Sequence, residues 1–449
     1  MLRRYGTFTG GIDLPDLKES TLDAPVRRCP RPKLLRVPLA PCGGPPAESV
    51  VEPGRRVAAG ERIAVRPGAH DSAATPHGEA VDIFAPCAGT VVGPVRVATA
   101  GRYGPAHSDA IELNDLDNLP ELPHAEPSEE WLHLGPAVLR ERIAEGQLTT
   151  FRRGAEPLIA WIERSRRKRC PVLIVNVMEH QPYVTADHAL LVARGVAVVR
   201  GLELLARAAG AEEVFLVVDR RRTEDYRHTE SPAREFGIRP VALEPKYPTG
   251  ADAMLVKVLT RRETPPGAET MDVGSAVVDA ATCFAAYAWV ACGARPAGRV
   301  VTVSGERAEN HGNYFVPFGA GCIELVGTGR PPVLHGGPMV GIRCGEEMVV
   351  GPATDAVLAP DAPDAPHPGP CIRCGWCIQH CPARLNVATL NDAFELADAD
   401  RAERMGVRGC IECGVCSYIC PARLPLTQRM KQLKRVVGRA LAGSKADAD

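Results

Sequence analysis

Neither sign of charge is in excess in this chain of 449 residues: 53 Lys and Arg stand against 54 Asp and Glu. No general basic field is therefore available to hold a nucleic acid, and no nucleic-acid partner is expected. Long apolar runs are also missing. The best candidate, AATCFAAYAWVACGA at Ala280–Ala294, is bounded by Asp279 and Arg295 and falls short of the roughly 20 apolar residues that cross a bilayer. It reads as a buried helix, so membrane association is expected through a partner rather than by direct insertion. Around Arg3 and Arg4 the sequence YGTFTGGIDLPDLK lacks the apolar stretch of a secretion signal.

What the chain has in quantity is glycine (43), proline (41) and cysteine (16). Glycine and proline favour turns and short strands over long helices. At about 100–150 residues per domain, the length allows three or four domains. Eight cysteines are scattered: Cys29, Cys42, Cys87, Cys170, Cys283, Cys292, Cys322 and Cys344. The other eight are packed into two short runs. Disulfide proteins spread their cysteines through small exported domains, so this clustering points to a reducing compartment and to metal ligation. The scattered cysteines read as small buried hydrophobes.

Along the chain the pattern changes several times. KLLRVPLAP, VEPGRRVAAGERIAV and APCAGTVVGPV read as hairpin-rich β structure, and Asn114–Glu129 as a linker. PVLIVNVM at Pro171–Met178 reads as a strand buried on both faces. Ala186–Ala209 has helical spacing with Gly210 as its stop, and Glu212–Asp219 is the next strand. Strand, helix and strand at this spacing imply a βαβ unit and a partly parallel sheet. Short strands with glycine turns resume at Gly298, and Asp355–Pro370 reads as an extended, solvated linker.

After it come CIRCGWCIQHCPARLNV and CIECGVCSYICPARLPL, each C-x2-C-x2-C-x3-C-P and offset by 39 residues. Three thiolates on one tight loop can cap three irons of a cubane. The fourth cysteine, fixed by the following proline, reaches the other cluster in two-cluster proteins. The expected ligand sets are Cys371, Cys374, Cys377 and Cys420 for one [4Fe–4S] cluster, and Cys410, Cys413, Cys416 and Cys381 for the other. Gly375 and Gly414 give each loop its backbone freedom. Structural zinc uses paired C-x2-C motifs and has no need of four cysteines within twelve residues followed by proline. Two such clusters pass single electrons and make no bonds.

The order of FTGGIDLPDLK, APCAGTV, NVMEHQPYVTADHALL, KYPTG, DVGSAVVDAATCFAAYAW, RVVTVSGE, HGGPMVG and the double cysteine motif resembles RnfC, the C component of the Rnf ion-translocating ferredoxin:NAD oxidoreductase complex, from about Thr7 to Gln432. The resemblance implies a multidomain α/β plus β chain: an N-terminal barrel-sandwich (lipoyl-like) domain at 1–120, a Rossmann-like α/β domain of the complex I flavoprotein type at 130–297, a β-grasp (SLBB) domain at 298–350, a linker at 351–368 and a helical two-cluster ferredoxin module at 369–440. It also implies FMN that exchanges a hydride with NADH, a ferredoxin-type or NADH-linked redox partner, other subunits of a membrane electron-transport complex, and a place on the cytoplasmic face of the inner membrane. APCAGTV has Cys87 and Ala88 where a lipoyl or biotinyl carrier needs lysine, so no swinging-arm cofactor is expected.

The chain departs from the family at the flavin. Where the family has G-G-A-G-F-P, so that backbone amides can approach phosphate, this chain reads IAEGQLTTFRRGAEPLIAW at Ile143–Trp161. Gly146 and Gly154 are isolated among Phe151, Arg152 and Arg153. Of the family's following acidic stretch, Asn176 and Glu179 remain as candidate FMN or NADH contacts, with His180 and Gln181 in place of a cysteine and a second glutamate. Two readings follow. Either the flavin site is disabled and the chain is a relay subunit, or FMN still binds, with Arg152 or Arg153 replacing lost amide contacts. Alternatives of other classes are an NADH-dependent flavoprotein reductase of the RnfC or cobalamin reductase type, and a soluble-ligand-binding scaffold whose clusters are structural.

Overall fold

The structure is a computed structural model that describes residues 5–67, 80–101, 104–125, 129–152, 154–327, 332–361 and 367–446. The chain divides into two compact units, one formed by 16–242 and 274–361, the other by 1–15, 243–273 and 362–449.

In the larger unit, the N-terminal β region is dominated by a long antiparallel pair, Ala88–Gly101 with Gly104–Asp117, flanked by Leu35–Pro38 and Arg56–Val57. A second sheet of Glu48–Ser49, Arg62–Val65 and Ile83–Phe84 lies beside it in sequence. Leu35, Val57, Ile63, Val91 and Leu113 are buried in one core that continues into a six-stranded sheet through Val301, Val303, Val316 and Val357. The strand Gly104–Asp117 runs past Asn114, so the expected linker begins later than its composition suggests.

The six-stranded sheet runs Val26–Arg28, Gly312–Pro317, Gly298–Ser304, Ala356–Leu358, Leu334–His335, Ile342–Arg343. Two of its strands were not legible as such. Val26–Arg28 adds in parallel to Gly312–Pro317, and Ala356–Leu358 pairs in parallel with Thr302–Ser304. The second corrects the reading of Asp355–Pro370 as solvated linker. Ala356, Val357 and Leu358 are fully buried; three apolar residues facing a core outweigh the surrounding proline and aspartate. Residues 362–366 of that stretch lie outside the described residues.

Between these β bodies in sequence lies a four-stranded sheet ordered Arg239–Leu243, Glu213–Asp219, Val172–Val177, Ser275–Asp279, with the two neighbours of Val172–Val177 parallel to it. The Ala186–Ala209 helix ends where glycine was expected to stop it, with Gly210 left-handed and its N–H on the Ala206 carbonyl. It breaks at Arg194, which has φ −140° and ψ 28°. No proline causes this. The Leu191 carbonyl instead meets His228 Nε2 at 3.1 Å, and the Arg194 guanidinium binds the Pro123 carbonyl at 2.8 Å. The apolar Ala280–Cys292 segment is the buried helix expected, with Asp279 accepting from the Thr282 N–H at 2.7 Å. No helix among the described residues is long and apolar enough to cross a membrane. This helix meets Ala186–Ala209 backbone to backbone: a Cβ on Gly201 would lie 1.9 Å from the Cys283 carbonyl oxygen.

In the smaller unit, Val387–Glu395, Ala399–Arg404 and Leu426–Ala446 are helices packed through Leu390, Ala402, Leu424, Met430 and Leu433. The N-terminal segment and the 243–273 segment hold each other and the cysteine region. Ile12 and Tyr247 exchange backbone hydrogen bonds at 3.0 and 2.9 Å, and Gly11 N–H donates to the His380 carbonyl at 2.9 Å. Gly10, at φ +75°, must be glycine: a Cβ there would lie 2.8 Å from the Cys381 carbonyl carbon. The glycine pair of FTGGI and the tyrosine of KYPTG thus belong to the setting of the cysteine loops.

Candidate iron–sulfur site and the flavin-type crevice

The two cysteine runs are built alike. Arg373 and Glu412, Gly375 and Gly414, Arg384 and Arg423 all have positive φ, each pair 39 residues apart. One-turn helices follow at Trp376–Gln379 and Val415–Tyr418. After them Cys381 and Cys420 each offer a carbonyl to the third following amide, Arg384 at 3.0 Å and Arg423 at 2.9 Å. Each loop therefore turns back on itself, and the chain that follows packs on the shared helical core.

Two cavities result. One is lined by Cys371, Cys374, Cys377 and Cys420. The other is lined by Cys410, Cys413, Cys416 and Cys381. In each, three cysteines come from one run and the fourth from the other. Amides face the sulfurs: Leu385 N–H lies 3.4 Å from Cys381 Sγ, and Glu412 N–H 3.4 Å from Cys410 Sγ. Lys434 Nζ binds the Cys410 carbonyl at 2.8 Å and the Glu412 carboxylate at 2.5 Å. Burial pushes the Cys377 thiol up to about 11 and the Cys410 thiol up to about 12, and Cys381, Cys413 and Cys416 are raised for the same reason. Metal loading must therefore displace protons from these sulfurs.

No three His, Cys, Asp or Glu among the described residues converge as they would on one ion. The geometry a cluster asks for is different: tetrahedral zinc draws thiolates to about 3.8 Å from one another, given Zn–S bonds of about 2.3 Å, whereas each thiolate of a cubane holds its own iron. Four sulfurs around a cavity suit the second arrangement.

In the parallel sheet, Val172–Val177 has neighbours on both sides, and the crevice beyond its C-terminal end is where such sheets bind ligands. Here side chains of the chain itself hydrogen-bond to the strands and helix starts of this sheet. Arg152 donates to the Val277 carbonyl, while Phe151 N–H donates to Thr282 Oγ1 at 2.8 Å. Glu179 uses both carboxylate oxygens on the start of the Ala186–Ala209 helix, accepting from the Asp187 and His188 amides at 2.7 and 2.8 Å. Asn176 Oδ1 accepts from the Met178 amide at 3.2 Å. Lys18, buried nearby, donates to the Glu179 carbonyl at 2.5 Å, and burial lowers its pKa. Burial takes the His180 imidazole down to about 3, so it is neutral at physiological pH. Gly146 is needed for packing, since a Cβ there would lie 2.6 Å from Trp289 Nε1. Arg153 lies outside the described residues.

Three family profiles match the chain in order: the RnfC barrel sandwich hybrid domain at 6–107, the Nuo51 FMN-binding domain at 154–288 and the 4Fe-4S dicluster domain at 366–421. The C component of the ion-translocating oxidoreductase complex of Edwardsiella ictaluri is 30% identical over 85% of this chain and 48% of its own length. The component of the same name from Rhodobacter capsulatus is 29% identical over 89% of this chain and 77% of its own. The C component of the proton-translocating ferredoxin:NAD(+) oxidoreductase complex of Clostridium ljungdahlii is 28% identical over 86% and 84%. The chain is a relative of RnfC. It spans about half the length of some of these RnfC proteins and most of the length of others.

As in the domains that these family profiles describe, a barrel-sandwich region, a complex I 51-kDa-like α/β region and an iron–sulfur region follow one another. The cysteine cavities fit iron–sulfur clusters by donor type and number. The crevice does not fit a flavin phosphate in the way the FMN-binding match implies. Its carboxylate and arginine are already spent on helix amides and a strand carbonyl, and no glycine run opens the backbone to an anion. Sequence reasoning missed Gly10, Tyr247 and Lys434; only the FTGGI and KYPTG motifs hinted at the first two.

Proposed function

We propose that this chain is an electron-relay subunit of a membrane-associated oxidoreductase complex of the Rnf type, holding two [4Fe–4S] clusters. Cys371, Cys374, Cys377 and Cys420 would ligate one, and Cys410, Cys413, Cys416 and Cys381 the other. The single observation that carries the reading is the pair of cavities, each lined by four cysteines drawn from both runs. When bound, such clusters accept and donate one electron at a time. The chain's part is to hold each iron by a thiolate, direct amides at the sulfurs and pack the loops on an apolar core.

The same reading makes the 130–297 region a flavoprotein-type domain without NADH–FMN chemistry of its own, serving as scaffold. The 298–350 region, with its strand pair and short Cys322–Val326 helix, would be the β-grasp domain, and the strand Ala356–Leu358 adds to it from beyond that boundary. Partners would be the other members of the complex and a ferredoxin-type or NADH-linked carrier, on the cytoplasmic face of the membrane.

Anaerobic purification followed by iron and flavin analysis and NADH titration tests this. About eight irons per chain, no flavin and no bleaching of the visible spectrum by NADH are expected. Stoichiometric FMN with rapid bleaching would instead make the chain an NADH-dependent reductase, the reading favoured by the FMN-binding-domain match.

A further inference from the structure

The two cysteine loops share a backbone but differ in cover. In the first, Ile372, Trp376 and Ile378 are 63%, 50% and 38% exposed, and Cys374, between them, is exposed as well. Thirty-nine residues on, Ile411 is half-buried, Val415 is 1% exposed and a serine replaces the second isoleucine. No residue from Cys410 to Ser417 is exposed. The cover comes from the same unit: the Tyr247 hydroxyl donates to the Cys413 carbonyl at 2.5 Å, and the Gly10 turn presses on Cys381. The Cys410–Ser417 stretch is covered, and the Cys371–His380 loop presents three large apolar side chains and a ligand cysteine to solvent.

We propose that the Cys371–His380 loop is the docking face for an electron-transfer protein with an acidic surface, and that electrons enter or leave this chain through the site of Cys371, Cys374, Cys377 and Cys420. The proposal rests on the relay reading above. Three large apolar side chains held in water around a ligand cysteine gain most from a partner that covers them. Tunnelling rates fall exponentially with distance, so a partner with its own redox centre gains from the exposed cysteine and any other partner does not. Charge indicates the partner's surface. Between 369 and 440 there are eleven Lys and Arg against six Asp and Glu, and the stretch Cys371–Leu390 has no acid of its own; its Arg373 and Arg384 pair with Asp392 and Glu263 from outside the stretch yet keep 68% and 62% of their side chains exposed. One electron crosses: the donor centre is oxidised, the acceptor centre is reduced, and no bond or proton moves.

The test uses the full chain, reduced with dithionite and mixed in an anaerobic stopped-flow instrument with an oxidised bacterial two-cluster ferredoxin, or with a water-soluble quinone. Trp376→Asp is expected to slow the ferredoxin reaction by about tenfold or more, with iron content and the quinone rate unchanged. Tyr418→Asp, at a residue 58% exposed on the other loop, is expected to react as wild type. Raising the salt is expected to slow the wild-type reaction with ferredoxin. Where Trp376→Asp loses iron, Ile372→Asp takes its place. An unchanged ferredoxin rate in the loop variant, an equal loss in Tyr418→Asp, or a rate indifferent to salt would each overturn the proposal. So would sedimentation of a wild-type dimer that Trp376→Asp splits, which would assign the face to a second copy, or flotation with anionic vesicles that the variant abolishes. Failure of dithionite to reduce either site in the wild type would sink the relay reading itself, a result distinct from all of these.

Discussion

If the fourth cysteine of each run belongs to the cavity of the other, paired substitutions must have opposite outcomes. Cys374 and Cys420 line one cavity, while Cys381 lines the second. Cys374→Ala with Cys420→Ala therefore removes two ligands from one site and none from the other. Cys374→Ala with Cys381→Ala removes one ligand from each. From about eight irons in the wild type, the first pair is expected to keep about four, all in one intact [4Fe–4S] cluster. The second pair is expected to keep no intact cluster, since each cubane then has an iron without its thiolate. Either site could shed that iron and persist as a three-iron species, so iron content alone does not decide. Electron paramagnetic resonance of dithionite-reduced samples does: a [4Fe–4S] signal survives in the first pair and is gone in the second. The reverse pattern, with Cys374→Ala/Cys381→Ala keeping the intact cluster, would refute the exchange and show that each run holds its own cluster. The folds of the variants can be compared by circular dichroism, because the α/β unit draws no residue from these cavities.

Lys434→Met should lower the reduction potential of the cluster beside Cys410, because it removes a cation bound to the Cys410 carbonyl and leaves Glu412 unpaired. The expected change is on the order of 1 kcal/mol, or roughly 40 mV per electron, read by redox titration, and an upward shift would contradict it. Gly201→Ala would force a methyl to within 1.9 Å of the Cys283 carbonyl oxygen. The Ala186–Ala209 and Ala280–Cys292 helices must then part, at a cost of about 2 kcal/mol or more, seen as earlier unfolding in denaturant; wild-type stability would mean the contact is not as close as described. Asp187 has its pKa raised by burial first, then by Glu179 and Asp279. A folded-state pKa above the unfolded one means that stability is fully present below the ordinary aspartate value and is lost as pH rises through the raised one. Asp187→Asn should therefore raise the melting temperature more at pH 8 than at pH 5, and a larger gain at pH 5 would reverse the sign.

Elements whose pattern is local were plain in the sequence. Val172–Val177, Glu213–Asp219 and the Ala186–Ala209 helix with its glycine stop are local apolar runs and local periodicities, and each lies within a residue or two of where it was expected. Elements fixed by distant partners were not. Val26–Arg28 looks like loop until Gly312–Pro317 supplies its ladder, and Ala356–Leu358 is three apolar residues in a stretch otherwise composed like a linker. The break at Arg194 depends on His228 and Pro123, neither of them near it in sequence. The scattered cysteines divide similarly: Cys87, Cys170, Cys283 and Cys322 are buried as hydrophobes, but Cys292 is exposed because it closes its helix just before Gly293. At the cysteine runs the sequence was most informative, since spacing, proline and glycine all act within a dozen residues.

The crevice of the parallel sheet shows how a domain of this type can satisfy its own backbone groups. The C-terminal edge of such a sheet presents strand carbonyls and helix-start amides, and buried polar groups of this kind need partners whether or not a ligand is bound. In a phosphate-binding version, a glycine-rich turn lets the ligand supply some of them. Here Glu179 satisfies the Asp187 and His188 amides, Asp279 satisfies the start of the Ala280–Cys292 helix, and Arg152 satisfies the Val277 carbonyl. Gly146, one of the two glycines of Ile143–Trp161, packs against Trp289. With these groups satisfied internally, Glu179 and Arg152 could turn to a ligand only by giving up a bidentate helix cap and an arginine–carbonyl bond. On the relay reading, Arg152→Gly alone should therefore not confer FMN binding, because Glu179 would still be committed to the helix.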